Sequence, residues 1–297
     1  MTTLLTGASG FLGKYIFAEL SSFSEVITLS RNGSVINTDL TKKVPDLPEL
    51  DLVIHAAGKA HVMPKNAVEK KQFFDVNLTG TNNLLKGLER SGFLPHTFVL
   101  ISTVAVYGLD TGHLVDESAK LEAKDPYGQS KIQAEQLVLD WCKANNVIVS
   151  ILRLPLLVGE NPPGNLGAMI NGIKHGYYFN IAGGKAKKSM VFASDVAKLI
   201  PMVAEIGGVY NVTDGYHPSF FEIAEVIAKQ LDKKKPLNIP LWLARTVAIF
   251  GNLIGNKAPI NSHKLNKITS ELTFDDRKIR SVVNWKPHSV ATNFKVK

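Results

Sequence analysis

Short, unbroken apolar runs alternate with longer helical patterns along the first half of the chain. The runs at residues 2–5, 26–29, 52–56, 97–101 and 148–152 fit strands of a parallel sheet covered on both faces, where no polar side is left to alternate. Helical patterns lie between them at 11–22, 68–91 and 126–145. Strands that alternate with helices require right-handed crossovers, which predicts a doubly wound α/β sheet. After about residue 153 the alternation weakens. Asn161-Pro162-Pro163-Gly164-Asn165 makes a turn-rich break, helical patterns return at 193–204 and 220–231, and only short strand-like pieces remain, near Tyr210. The expected organisation is a sheet domain over 1–152 and a smaller mixed α/β region over 153–297, interleaved with the first.

The first strand runs straight into Gly7-Ala8-Ser9-Gly10-Phe11-Leu12-Gly13, where the first helix opens. Glycines let the backbone turn tightly and let a ligand approach its amides. A helix N-terminus adds unpaired N–H groups and a positive dipole end, which suit a pyrophosphate. Three glycines in seven residues also make a plain flexible turn. Their place between the first strand and first helix favours dinucleotide binding, although the spacing is G-x-x-G-x-x-G rather than the commoner G-x-G-x-x-G. The sheet region is thus expected to be a Rossmann NAD(P)-binding domain. Where the second strand ends, an acidic residue would bind the adenosine ribose hydroxyls. Here Ser30-Arg31 stands in that place, and arginine can pair with a 2′-phosphate, so NADP is favoured over NAD. Arg31 as a plain surface residue is the alternative. Asp39, followed by Leu40, is placed to accept from the adenine amino group or, equally, to cap the next segment.

Tyr127 and Lys131 lie four apart in Pro126-Tyr127-Gly128-Gln129-Ser130-Lys131, which puts them on one helix face. An ammonium beside a phenol favours the phenolate and lowers the tyrosine pKa toward the range useful in acid–base catalysis. The same spacing also arises when a tyrosine packs over a surface lysine.

Together these residues resemble the extended short-chain dehydrogenase/reductases, the NAD(P)-dependent epimerase/dehydratase family, over nearly the whole chain. Thr6-Gly7-x-x-Gly10-x-x-Gly13 matches the cofactor loop of that family and His55-Ala56-Ala57-Gly58 the loop after a later strand. Asn77 matches its mid-helix asparagine, and Ser102-Thr103-Val104-Ala105-Val106-Tyr107-Gly108 the strand end that bears the catalytic Ser/Thr. The resemblance implies a triad of Thr103, Tyr127 and Lys131. Tyr127 would exchange a proton with a sugar oxygen, Thr103 would hold the same oxygen, and Lys131 would lower the tyrosine pKa and hold the nicotinamide ribose. Pro155 would lie by the nicotinamide. The implied cofactor site is Gly7, Ser9, Gly10, Phe11, Leu12, Gly13, Ser30, Arg31, Asp39, Leu40, Ala56, Ala57, Gly58, Asn77, Tyr127, Lys131 and Pro155.

The second half resembles the family's nucleotide-sugar region. Lys188 stands where relatives often carry a diphosphate-binding arginine, and Asn165-Leu166 matches a pair near the diphosphate. Phe274-Asp275-Asp276-Arg277-Lys278 and Asn284-Trp285-Lys286-Pro287 resemble the closing segment. The implied partner is a nucleotide-diphosphate sugar, with hydride moved at a sugar carbon, C4 first. Two positions depart from relatives. Leu156 replaces an asparagine usual in galactose epimerases, and Val104-Ala105 replace the acidic pair of 4,6-dehydratases, so dehydration is not expected. The chain looks closest to enzymes of bacterial surface-polysaccharide synthesis, with 4-epimerase and 4-ketoreductase both open. A silent dinucleotide-binding sensor or scaffold is the alternative from another class.

Composition changes little. The chain of 297 residues is 45% apolar and 20% charged, with a net charge of +8, which fits a globular protein. No long basic run occurs, so a lysine-rich surface or attraction for anionic substrates is expected rather than nucleic acid. The single cysteine, Cys142, forms no intrachain disulfide and no zinc motif, so no metal is expected. No targeting segment is seen, which suggests the cytoplasm. The apolar stretch 239–254 is interrupted by Pro240, Arg245 and Asn252; a buried or amphipathic helix is expected there rather than a membrane contact. The helices at 68–91 and 126–145 would suit a four-helix homodimer interface of the kind relatives use.

Overall fold

A computed structural model describes residues 1–60, 64–254 and 260–296. The first half holds β1 (Thr2–Thr6), α1 (Phe11–Leu20), β2 (Glu25–Ser30), β3 (Ile36–Asn37), β4 (Leu52–His55), α2 (Ala67–Phe74), α3 (Gly80–Ser91), β5 (Thr97–Thr103), β6 (Gly112–Val115), α4 (Pro126–Ala144) and β7 (Ile148–Leu154). Then follow β8 (Leu156–Val158), α5 (Gly164–Lys174), β9 (Asn180–Ile181), β10 (Met190–Phe192), α6 (Ala193–Ala204), β11 (Gly208–Asn211), α7 (Phe220–Gln230), β12 (Asn238–Ile239), α8 (Leu241–Ile254), α9 (Ser262–Thr269), β13 (Leu272–Phe274), α10 (Arg277–Val282) and α11 (Val290–Asn293).

Seven parallel strands form the main sheet in the order β11-β7-β5-β4-β1-β2-β3. Order reverses between β1 and β4, the switch point where a doubly wound sheet opens a crevice at its strand C-termini. The unbroken apolar runs have a direct cause. Adjacent residues of one strand enter opposite layers: Leu5, Ile54, Val99 and Leu152 join one core with α1 and α6, while Leu4, Val53, Phe98 and Ile151 join the other with α3 and α4. Both faces of the central strands are covered, so apolar residues run on unbroken and the few polar ones there, such as Thr6, His55 and Ser150, are buried.

All five expected strands form. β3 was not anticipated, because two residues are too few to show a period. After β7 the chain returns to the sheet through α6 and β11. A third core of Val158, Leu166, Met169, Ile173, Met190 and Ile223 joins α5, α7, β8 and β10 into the smaller region. Cys142 is fully buried, and burial pushes its thiol up to about 12.

Candidate active site

The β1–α1 loop is built around glycine at two points where a side chain cannot fit. Gly7 has φ +75°, and a Cβ there would come within 2.7 Å of the Ala57 nitrogen on the neighbouring loop. At Gly13 a Cβ would sit 2.0 Å from the Gly7 carbonyl oxygen. Gly10 N donates to that same carbonyl at 2.9 Å. Gly10 is also the N-cap of α1 and offers no side chain to the first-turn amides, and no acid stands in that turn. The amides and the positive helix end are therefore left to an anionic ligand.

A cleft of about 580 Å³ opens there, lined by Gly7, Ser9, Gly10, Ser30, Arg31, Asp39, Leu40, Ala56, Ala57, Gly58 and Lys59 among others. Its glycine floor and uncapped helix end fit a dinucleotide. Arg31 is exposed at its rim. Ser30 Oγ donates to the Asn32 carbonyl at 2.8 Å, closing a turn behind it. Asp39 accepts from Thr41 N (3.0 Å) and Thr41 Oγ1 (2.7 Å). Those bonds, with help from Lys42 and Arg31, outweigh its partial burial and hold its carboxyl below the ordinary value. Asp39 thus caps a turn while still lining the cleft. The side chains of Leu12 and Leu40 lie in the cores.

Asn77 is buried inside a π-helical turn, Asp75–Thr79, between α2 and α3. Such turns widen the backbone and re-aim side chains, often at functional sites. Its amide Oδ1 accepts from Lys59 N (2.7 Å), and Nδ2 donates to the Lys59 carbonyl (3.1 Å) and to Ser130 Oγ (2.9 Å). Ser130 Oγ donates in turn to the Tyr127 carbonyl (2.8 Å). One asparagine therefore ties the loop after β4 to the first turn of α4.

Asp125 caps α4, accepting from Gly128 N at 3.0 Å, with Pro126 pre-set in the first turn. That start fixes Tyr127 and Lys131 on the face toward β5. Tyr127 is half-buried, its ring 6.1 Å from Phe73. Burial raises its phenol pKa, while a hydrogen bond with the Thr103 side chain lowers it. Lys131 is buried and donates Nζ to the Ile101 carbonyl at 2.7 Å. Burial drops its pKa to about 8, opposed by Glu135. Thr103 ends β5 and accepts from Ala105 N at 3.2 Å. Three residues from two elements thus meet at the C-terminal edge of the sheet, beside the glycine cradle. The expected influence of Lys131 on the phenol is not what sets it here: burial and Thr103 are the leading influences.

Residues 3–213 match the model of the NAD dependent epimerase/dehydratase family. The chain belongs to that family. It is 27% identical over 94% of its length to an N-acetyl-alpha-D-glucosaminyl-diphospho-ditrans,octacis-undecaprenol 4-epimerase of Escherichia coli O157:H7, covering 88% of that protein. It is 28% identical over 96% of its length to a UDP-glucose 4-epimerase of Vibrio cholerae, covering 90% of that protein. Among solved structures, a UDP-glucose 4-epimerase of Thermus thermophilus in complex with NAD superposes with a TM-score of 0.71 at 21% identity, over 97% of this chain and 94% of that one.

As a member of the epimerase/dehydratase family the chain is an enzyme. Pro155 is half-buried between β7 and β8. Lys188 is half-buried, and burial drops its pKa to about 8, opposed by Asp110. Asn165 is exposed in the first turn of α5, which has no side-chain cap. Leu166, expected by the substrate, turns its side chain into the third core and leaves only its backbone for that role. Among the described residues no cluster of His, Cys, Asp or Glu could hold a metal ion.

Four further side chains of the site have roles that no motif or spacing assigned. Lys59 lines the cleft and bonds Gln72 Oε1 at 3.0 Å. Ser130 carries the Asn77 bridge. Glu135 lies one turn beyond Lys131, a spacing that was there to be used. His55 is the fourth. Thr6 Oγ1 accepts from Ala57 N (3.1 Å) and lies 2.7 Å from His55 Nδ1. Thr81 Oγ1 donates to the Asn77 carbonyl (2.6 Å), so it accepts from His55 Nε2 (2.9 Å). The ring is neutral with its proton on Nε2. Burial, aided by the charge of Lys131, drops its pKa to about 3.

Proposed function

We propose that the protein moves a hydride at C4 of a sugar carried on a diphosphate, with Tyr127 exchanging the proton of the sugar oxygen. The observation that carries this reading is the meeting of Thr103, Tyr127 and Lys131 beside the glycine cradle. A nicotinamide dinucleotide, when bound, supplies or accepts the hydride. Gly7, Gly10 and the first-turn amides of α1 would hold its pyrophosphate, Arg31 a 2′-phosphate, and Lys131 its ribose. Thr103 orients the reacting oxygen. Lys188, with the first turn of α5 at Asn165, faces the diphosphate of the substrate.

Burial keeps the Tyr127 phenol protonated at neutral pH. That is the form that gives a proton to an oxygen whose carbon gains hydride, as 4-keto reduction requires. Epimerisation, the activity in the names of both relatives above, needs the same phenol first as base, then as acid. Val104 and Ala105 form the turn after Thr103 and have no proton to move, so dehydration has no acid there. The first relative also suggests that the diphosphate is borne by a polyprenol rather than a nucleoside.

The test is incubation with UDP-, GDP- and dTDP-sugars and their 4-keto forms. Stoichiometric loss of NADPH marks a reductase; an equilibrating pair of epimers without added cofactor marks an epimerase. Tyr127→Phe should lower kcat by about 10²–10⁴ with cofactor affinity kept. Unchanged turnover in that variant would leave the dinucleotide-binding scaffold as the better reading.

A further inference from the structure

Helix α8 is built inside out. Its small residues Ala244 and Ala248 face inward, against Leu265 of α9 and against Ile181, Ile239 and Ile260. Leu241 packs with them, but most large apolar residues of the helix face solvent: Trp242 is 69% exposed, Phe250 64% and Leu253 85%, with Val247 and Ile249 exposed beside them. At 3.6 residues per turn the exposed apolar positions sweep an arc of about 160°. A helix that packs only on its own domain keeps its large apolar residues inward, and a contiguous exposed apolar face of this kind marks a contact surface.

The segment that carries this face is one-sided in charge. Residues 233–270 contain no Asp or Glu. Lys233, Lys234 and Lys235 precede β12 and are exposed, and Arg245 is exposed on α8 itself. α9 adds Lys264 and Lys267. Lys235 is paired with Glu225, and Lys267 with Asp110 at 3.5 Å; Lys233, Lys234 and Arg245 keep the balance positive. A two-fold contact between copies of this chain would set the basic patch against itself. An anionic lipid surface complements it: aromatic and aliphatic side chains enter the headgroup boundary and lysines lie over the phosphates. No described helix is long and apolar enough to cross a membrane, so the contact lies in the plane of the surface.

We infer that α8 docks this enzyme on an anionic membrane surface. α9, which packs on α8, leads into β13, whose Leu272 bridges to Lys188, so the helix pair is connected to the substrate end assigned under the proposed function. The inference does not rest on which reaction the site performs, because its readout is binding and not turnover.

The test is co-sedimentation of the full chain with vesicles of phosphatidylcholine alone or mixed with phosphatidylglycerol. The chain should sediment with the anionic vesicles and be released by high salt. The triple variant Trp242→Ser/Phe250→Ser/Leu253→Ser should bind at least about tenfold more weakly with an unchanged melting temperature, since none of the three is in a core. Tyr127→Phe should bind like the parent chain, which separates this contact from the catalytic reading. Absence of sedimentation with anionic vesicles, or equal binding by the triple variant, overturns the proposal. So does light scattering that shows a dimer which the triple variant splits into monomers, because a second copy is then the occupant.

Discussion

Replacing Glu135 by Gln removes one charge from a network under α4 and leaves its shape almost unchanged. Glu135 is 1% exposed and its partner Arg153 is 5% exposed. Arg153 Nη2 reaches the carboxylate at 2.7 Å and Nε reaches both oxygens at 3.2 Å. Ser102 Oγ donates to the same carboxylate. Arg153 Nη1 donates to Tyr107 OH (3.0 Å), which donates to Asn211 Oδ1 (2.8 Å), so α4, β5, β7 and β11 are tied through one carboxylate. Gln keeps an acceptor but leaves the guanidinium buried without a counter-charge, which costs about 3–5 kcal/mol. That is a large share of a total stability of roughly 5–15 kcal/mol. With about 2.1 cal/mol/K per residue of unfolding entropy, 1 kcal/mol moves Tm by about 1.6 °C at this length, so a fall of about 5–8 °C is expected. Glu135 also raises the pKa of Lys131, so the alkaline limb of kcat/KM should move to lower pH. Calorimetry and a pH–rate profile check both parts. Arg153→Met combined with Glu135→Leu should recover much of the stability, because two apolar groups desolvate no charge. A single variant within about 1 kcal/mol of the parent chain, or a double variant as unstable as the sum of the singles, would refute the reasoning.

Two further outcomes test other parts of the site. His55 is neutral with a folded pKa of about 3 against an unfolded value of about 6.5; the unfolded chain therefore binds the proton first, and stability is lost as pH falls through that window. The loss between pH 7 and pH 4 is roughly 3 kcal/mol, and urea unfolding should show a correspondingly smaller acid loss in His55→Gln; equal slopes would remove the neutral relay. Arg31→Asp should weaken NADPH binding by about tenfold or more and leave NADH binding nearly unchanged, as read by fluorescence titration; equal losses for both cofactors would place Arg31 outside the 2′-phosphate site.

Much of the fold was legible because its signals are local. Continuous apolar runs exist wherever both faces of a strand are covered, so β1, β2, β4, β5 and β7 announce themselves without reference to their neighbours. The glycine loop does so in part: Gly13 is forced by Gly7 within a short reach of chain, whereas the close approach at Gly7 comes from Ala57 on the neighbouring loop. The four-residue step from Tyr127 to Lys131 is a property of any helix. β3 escaped because two residues carry no period.

The electrostatic setting of the site was not legible, because it depends on what lies across from each residue. Tyr127 was expected to be tuned by Lys131, yet burial and Thr103 lead, and neither can be read from a spacing. His55 stood in a recognisable motif, but its relay between Thr6 and Thr81 joins residues far apart in the chain. The same holds for α8, whose apolar residues are plain in the sequence while the side they face is not. By itself the sequence determined the local geometry: which segments are strands, where glycine lets the chain turn tightly into the first helix, and which phenol and ammonium share a helix face. Only the tertiary structure decided burial and partners, because desolvation and pairing are set by groups that meet only when the chain has folded.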